Sequence, residues 1–439
     1  MIGAQTAESL GRSASWDAVV VGGGVAGLAA GIELARAGLA VACIEPSGPV
    51  RTRVGESLDW SAPSLFANVG VNPRDLIEAG AGTLKREVHA STVHGEDLVG
   101  RPPGWIGRWP LRFESTTLHV ERRRLDAWLW AEASKAGVEF FTESAVAAEC
   151  EGELITGVTL ASGRTISGAW YLDATGRSRL LTRSLAIGRR TYGEPRVALW
   201  SHLPWPMAVE GTTLHLDTSG PSLRWAWEIP VSQDCLSVGV VISAAEFRDR
   251  YRSTPNHMVL KSELARYRRF EGIEISHPEA VHSRGYRCHV SDRVAGANWV
   301  LVGEAAAFVD PLTSLGVTSA LRTAHEASEL IVDCGVRARS MERALRRYDQ
   351  RVRTIAHLYN RAVNDMLYEP EIRERLGIRN AAKGYVVLGF GVNALYSRLR
   401  PRGLSGAIEV AAIQSLFSAW LRMWSRPRAK RVGIRGSSA

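Results

Sequence analysis

Three short clusters of small and acidic residues in this chain have the types and spacing needed to hold a large phosphorylated cofactor. The first, Gly22-Gly23-Gly24-Val25-Ala26-Gly27, follows Asp17-Ala18-Val19-Val20-Val21. That β-branched run reads as a buried parallel strand. Glycines placed directly after it permit a tight turn and a close backbone approach to a pyrophosphate. Val25 to Ala37 has helical composition and stops at Gly38. The free N–H groups and positive dipole end of such a helix point at the phosphates. Glu45 ends the next strand, Val41-Ala42-Cys43-Ile44. It stands about 20 residues past the glycines, where a carboxylate accepts from ribose hydroxyls. The second cluster is Leu172-Asp173-Ala174-Thr175-Gly176-Arg177. The third runs from Val302-Gly303-Glu304-Ala305 through Phe308-Val309-Asp310-Pro311-Leu312.

One glycine motif alone indicates a nucleotide. The three together, in this order, read as a site for FAD, with the flavin brought against oxygen and an organic substrate.

The elements that must position these residues are bounded by composition. The chain has 439 residues, enough for two joined domains with a large core. Its 45% hydrophobic and 23% charged content fits a soluble globular protein. Cys43, Cys150, Cys235, Cys288 and Cys334 show no paired spacing. This argues for a reducing compartment and against a disulfide framework or a metal site. Met1 to Trp16 lacks the basic and apolar regions of a signal peptide. Leu404 to Trp424 comes closest to a membrane span but carries Glu409 and Arg422. It reads as a packed or amphipathic helix. The expectation is therefore a cytoplasmic protein without integral membrane association. Net charge is +9, with arginines concentrated near the C-terminus. A solvated end, an acidic partner and an acidic lipid surface all fit this charge. No nucleic-acid module is visible, so no nucleic-acid partner is expected.

The expected fold is α/β, with a discontinuous Rossmann-type FAD domain over 14–84, 119–190 and 285–336. An antiparallel substrate-binding sheet would be inserted over 85–118 and 191–284. A helical C-terminal region would cover 337–425, followed by a basic tail over 426–439. A helix is expected from His119 to Ala136, and another from Gly316 to Val332.

The three motifs resemble those of FAD-dependent aromatic monooxygenases with a p-hydroxybenzoate-hydroxylase-like fold. Val54-Gly55-Glu56-Ser57-Leu58, Trp225-Ala226-Trp227-Glu228-Ile229-Pro230 and Phe308 to Val317 make the chain similar to the flavin-dependent halogenases and their non-halogenating relatives. The resemblance implies a pyrophosphate cradle of Gly22, Gly24, Val25, Ala26 and Gly27, with Glu45 on the adenosine ribose. It implies that Arg53 and Ser57 lie by the flavin and that Arg122 contacts FAD. Asp173 and Gly176 match a motif shared by FAD and reductant. Gly303 and Glu304 sit where the family binds the ribityl chain, Glu304 replacing the usual Asp. Pro311 and Ser314 would face the isoalloxazine as catalytic positions. The backbone of Leu315, Gly316 and Val317, at a helix start, would stabilise negative charge at the pyrimidine edge.

Two chemistries stay open. Trp225 and Trp227, expected to line the substrate pocket, fit a halogenase signature. Lys85 is the candidate for the lysine that passes a hypohalous species to substrate, a role it holds only in a halogenase. Thr313, however, stands where tryptophan halogenases carry Glu. The segments Asp173 to Ser178, Leu185 to Arg190 and Tyr348 to Arg353 are instead similar to flavoprotein maturases. Those enzymes hydroxylate tryptophan in precursors of cysteine-tryptophylquinone enzymes, in quinone cofactor biogenesis. The leading expectation is a monooxygenase hydroxylating an indole- or tryptophan-like ring, free or in a peptide, through a flavin C4a-hydroperoxide. The alternative is a halogenase of a phenol, pyrrole or indole. A flavin-bound reductase and a non-enzymatic scaffold are further readings. Oxygen is the co-substrate, and electrons come from NAD(P)H or from reduced flavin supplied by a partner flavin reductase. His89, His94, His119, His202 and Asp217 are candidate bases.

Overall fold

The computed structural model describes residues 16–48, 53–59, 61–99, 105–106, 113–114, 117–204, 211–336 and 341–378. The Leu404 to Trp424 helix and the basic tail lie outside the described residues.

A five-stranded sheet forms the first layer. Its order is Trp299–Leu301, Gly168–Asp173, Trp16–Val21, Val41–Ile44 and Glu139–Phe141, and every pairing is parallel. Val19, Val20, Val41 and Tyr171 are fully buried within it, as expected of strands covered on both faces. The helix Val25–Arg36 crosses over between two neighbouring strands and packs on the helix Gly316–Val336. The register aligns Val21 with Asp173 and Asp173 with Leu301. Each sequence motif begins where one of these strands ends. Parallel pairing therefore gathers all three at one sheet edge, the carboxyl ends where α/β sheets bind ligands.

Glycines lock that convergence. Gly22 has φ +106°, and a Cβ there would stand 2.4 Å from the Ala174 carbonyl oxygen. Gly303 has φ +60°, and its Cβ would stand 2.9 Å from the Ala26 Cβ. The first motif thus rests directly on the second and third.

The second layer is an eight-stranded sheet. Its order is Ala307–Phe308, His282–Ser291, Arg189–Pro204, Cys235–Ser243, Arg224–Pro230, Gly211–Asp217, Glu87–Thr92 and Asp97–Val99. Side chains alternate between its faces. Leu199, Ala226, Val238 and Val240 join a cluster with residues of the helices Ala244–Tyr251 and Asn256–Leu264. Trp200, Leu214, Trp225, Trp227 and Ile229 point the other way and join Val54 and Leu312 of the flavin-motif segments. The expected antiparallel sheet needs one correction, because Gly211–Asp217 pairs parallel with Glu87–Thr92. A long connection separates these two strands, so hairpin geometry does not force them antiparallel.

The helix expected from His119 starts instead at Arg122. Thr117–Val120 is rich in β-formers and pairs with Gly82–Lys85. This ladder spans the expected domain boundaries at 84/85 and 118/119. At the C-terminal side the helix Met341–Val363 runs into a π-helical turn, Asn364–Tyr368, and then the helix Pro370–Leu376.

Replacing Gly22 by Ala combines a left-handed φ with a collision against the Ala174 carbonyl. The expected loss is about 1–3 kcal/mol of stability, read as a lower urea midpoint, together with weaker FAD retention. An unchanged midpoint would refute the backbone-contact account.

Candidate active site

The cofactor cradle starts at the helix Val25–Arg36, whose N-cap is Gly24, with no side chain capping it. Its first N–H groups are left for a ligand. A Cβ on Gly24 would stand 2.8 Å from the Arg53 guanidinium, so Arg53 lies over the glycine turn. The resemblance implied a place by the flavin; the geometry shows Arg53 beside the glycine turn. Arg53 lies 3.6 Å from Asp126. Arg122 is buried. It donates to both Asp126 oxygens, at 3.1 and 3.3 Å, and to the Val54 carbonyl at 2.8 Å. Arg122 thereby holds the 53–55 segment in place.

Glu45 accepts from the Gly23 N–H at 2.8 Å and from the Ser47 N–H at 3.1 Å. Asp173 acts through its turn: its carboxylate accepts from Thr175 N–H, Thr175 Oγ1 and Leu181 N–H. Burial raises its pKa. Glu304 lies 3.6 Å from Arg177 and is likewise raised by burial. An uncapped helix start under a guanidinium, with carboxylates on either side, fits the pyrophosphate and sugars of FAD.

Beyond the cradle, the segment around Ser57 adds to the ladder beside Thr117–Val120. Val120 N–H donates to the Glu56 carbonyl, and Leu58 N–H to the Leu118 carbonyl. This places Ser57 Oγ at a junction. Lys85 Nζ donates to it at 2.8 Å and to the Leu58 carbonyl at 2.7 Å. Ser314 Oγ reaches it at 3.2 Å and Thr212 Oγ1 at 2.7 Å. Thr212 Oγ1 is 2.9 Å from His119 Nε2, His119 Nδ1 is 3.1 Å from Thr83 Oγ1, and Thr83 donates to the Pro230 carbonyl at 2.5 Å.

One proton arrangement satisfies this chain. Ser57 accepts from Lys85 and Ser314 and donates to Thr212. Thr212 donates to Nε2 of a neutral His119. Its Nδ1–H donates to Thr83, and Thr83 to Pro230. Burial, then the neighbouring Lys85, holds the His119 pKa far down, in keeping with a neutral ring. Burial also lowers Lys85 to about 7, only partly opposed by Asp59.

On the sheet face, the Trp225 and Trp227 rings lie 5.6 Å apart. Trp227 Nε1 donates to Ser237 Oγ at 3.2 Å, and Trp225 Nε1 to Tyr368 Oη at 2.9 Å. Trp200 Nε1 and Glu56 Oε2 are buried without a partner among the described residues. Such groups mark places that water, an ion or a ligand can satisfy.

The five candidate bases separate. Asp217 does not serve: burial pushes its carboxyl up, but Ser219 and Arg266 hydrogen bonds outweigh that and hold it at about 2. His94 is exposed, and His89 pairs with Asp97 at 2.8 Å. His119 belongs to the buried chain. His202 Nε2 bonds the buried Glu56 carboxylate; burial lowers it, but Glu56 more than compensates and leaves it raised. Glu56, Thr212 and Tyr368 were missed as site residues from sequence. The Gly55-Glu56-Ser57 motif was a signal for Glu56. Nothing local marked Thr212 or Tyr368, which arrive by sheet register and helix packing.

The buried lysine gives a pH test of stability. Its pKa is about 7 folded, against the ordinary 10.5. Between those values the unfolded chain binds the extra proton. Stability therefore rises with pH from about 7 toward 10.5, by up to about 1.4 kcal/mol per unit. Urea unfolding of wild type and Lys85→Met at pH 7 and 9 should show this rise only in wild type. Parallel slopes would refute a dry lysine.

Residues 109–364 match the tryptophan halogenase family, and residues 17–80 match the FAD binding domain. A tryptophan 2-halogenase of Chondromyces crocatus is 28% identical over 324 residues, covering 70% of this chain and 59% of that protein. The 1H-pyrrole-2-carbonyl-[peptidyl-carrier protein] brominase of Pseudoalteromonas luteoviolacea is 25% identical over 337 residues, covering 72% and 77%. The solved structure of the flavin-dependent brominase Bmp2 superimposes with a TM-score of 0.70 at 22% identity, covering 93% of this chain and 99% of that one, which shows a shared fold. No described helix is long and apolar enough to cross a membrane. FAD is the cofactor and the enzyme class is FAD-dependent oxidoreductase. With more than half its length matched to one family on a shared fold, this chain belongs to the tryptophan halogenase family.

Proposed function

We propose that this chain halogenates an electron-rich aromatic ring of pyrrole, phenol or indole type. Hydroxylation was the leading expectation from sequence. The family match and relatives support its alternative instead. The observation that carries the reading is Lys85, a buried ammonium on Ser57 Oγ, one hydroxyl from Ser314 in the flavin-facing turn. Reduced FAD, when bound, supplies with oxygen the oxidising power that converts halide to an electrophile. Overall, aromatic C–H, halide, O2, reduced FAD and one proton give the aryl halide, oxidised FAD and two waters. Halide and ring together give up two electrons, and the flavin gives the other two.

This chain's residues supply the rest. Ser57 and the Leu58 carbonyl orient Lys85 Nζ, which holds the hypohalous species by hydrogen bond and directs it to the ring. A lysine with a pKa of about 7 is poised both to donate and to release a proton near neutrality. Trp200, Trp225 and Trp227 present an apolar wall that excludes water and holds a flat ring. Thr313 in place of the Glu of tryptophan halogenases favours a substrate other than free tryptophan. The net charge of +9 suits an acidic partner. A carrier protein bearing the aromatic acid fits that description, as does a flavin reductase supplying electrons.

The test is product mass spectrometry with reduced flavin, oxygen, bromide and chloride, offered indole, phenol, pyrrole and tryptophan peptides. A halogen isotope pattern is expected. Addition of oxygen alone would restore hydroxylation, and turnover without oxygen would indicate a reductase. Lys85→Met should keep FAD but lose halogenated product by about 100-fold or more. Full turnover in that variant would overturn the role of Lys85.

A further inference from the structure

Tyr368 closes the π-helical turn Asn364–Tyr368. Such turns are frequent at functional sites. Its hydroxyl accepts from Trp225 Nε1 at 2.9 Å and donates to Asp310 Oδ1 at 3.2 Å. The same Oδ1 accepts the Leu312 N–H at 3.0 Å, and Cys288 Sγ donates to Oδ2 at 3.7 Å. Asp310 is the N-cap of the turn Pro311–Thr313. That turn ends at Ser314, in left-handed conformation with φ +56°, touching Ser57. The Arg196 guanidinium lies 3.5 Å from the centre of the Tyr368 ring. It also donates to the Leu223 carbonyl at 3.2 Å and to Glu194 at 3.1 Å. Tyr368 is thus held from behind. Its one hydroxyl joins the tryptophan face of the sheet to the carboxylate that shapes the flavin-facing turn.

We propose that Tyr368 is a positioning residue that couples the Trp225–Trp227 face to the turn Asp310–Ser314, so that an aromatic ring on that face resets the geometry beside the flavin. The inference rests on the proposed function only in taking this face as the place where the ring sits. Ring contact with Trp225 shifts its indole N–H. Tyr368 passes the shift to Asp310, and Asp310 to the Leu312 N–H and the turn. Losing the hydroxyl breaks the path at both ends. The Trp225 N–H is left without its acceptor, and Asp310 is left one donor short in a buried position.

The test uses FAD-loaded, oxidised enzyme with no halide and no turnover. Indole, phenol and pyrrole-2-carboxylate are titrated while flavin absorbance and fluorescence are recorded, and calorimetry measures binding separately. Wild type should show a saturable flavin shift. Tyr368→Phe should bind the ring within about threefold of wild type, yet lose most of the flavin shift. In turnover it should release about tenfold more peroxide per product, the equivalent of one lost charge-assisted hydrogen bond. Trp225→Phe, read at saturating ring because Trp225 itself lines the binding face, should also lose most of the flavin shift, and the double variant should lose no more of it than either single one. Asp310→Asn keeps the acceptor oxygen and should retain much of the shift, which guards against a Tyr368 variant that fails to fold.

A wild-type flavin shift in Tyr368→Phe overturns the proposal. So does additivity of the two variants, or a fall in melting temperature with the shift intact. The flavin shift is read without halogenation. Failure to find a halogenated product would therefore count against the proposed function and leave this coupling to its own readout.

Discussion

One hydroxyl, Ser57 Oγ, joins three parts of this fold. Lys85 arrives from the short ladder, Thr212 from the eight-stranded sheet, and Ser314 from the end of the turn Pro311–Thr313. A serine hydroxyl has one proton and two lone pairs. Three partners use all of them, so each is constrained by the other two. The geometry of the lysine, the seating of the sheet and the conformation of the turn are consequences of this junction. Ser57 is itself fixed because its segment is added to Thr117–Val120 on one side and tethered to Arg122 at Val54 on the other.

The electrostatics follow from dryness. Lys85 carries its charge where water does not reach, so its proton is held weakly. The nearby His119 stays neutral for the same reason and because a second cation is disfavoured. An uncharged His119 donates from one nitrogen and accepts at the other, and the hydrogen-bond chain to Pro230 needs both functions. Pro230 ends the strand that carries Trp225 and Trp227. The lysine and the aromatic face are therefore linked from one side through His119, and the face and the Asp310–Ser314 turn from the other through Tyr368.

The cradle is governed by shape before charge. Gly22 against the Ala174 carbonyl and Gly303 against Ala26 allow backbone contact that no side chain permits. Only then does the uncapped helix start meet the Arg53 guanidinium across Gly24. Arg53 is set over this turn as the 53–55 segment is held by Arg122 at Val54 and Arg53 itself lies by Asp126.

The sequence by itself determined the cofactor, the parallel sheet and the order of its motifs, because glycine turns and β-branched strands are local patterns. It also picked out Lys85, Ser57, Ser314, Trp225 and Trp227 one at a time. That these side chains form connected hydrogen-bond chains was decided only by tertiary structure. Thr212 reaches Ser57 through sheet register across a long loop, and Tyr368 reaches Trp225 through packing of a distant helix. Asp217 shows the converse: it is a plausible base in sequence, yet its arginine and serine neighbours hold it ionised. Which carboxylates and imidazoles can accept a proton depends on burial and on partners remote in the chain. Local residue patterns carry neither.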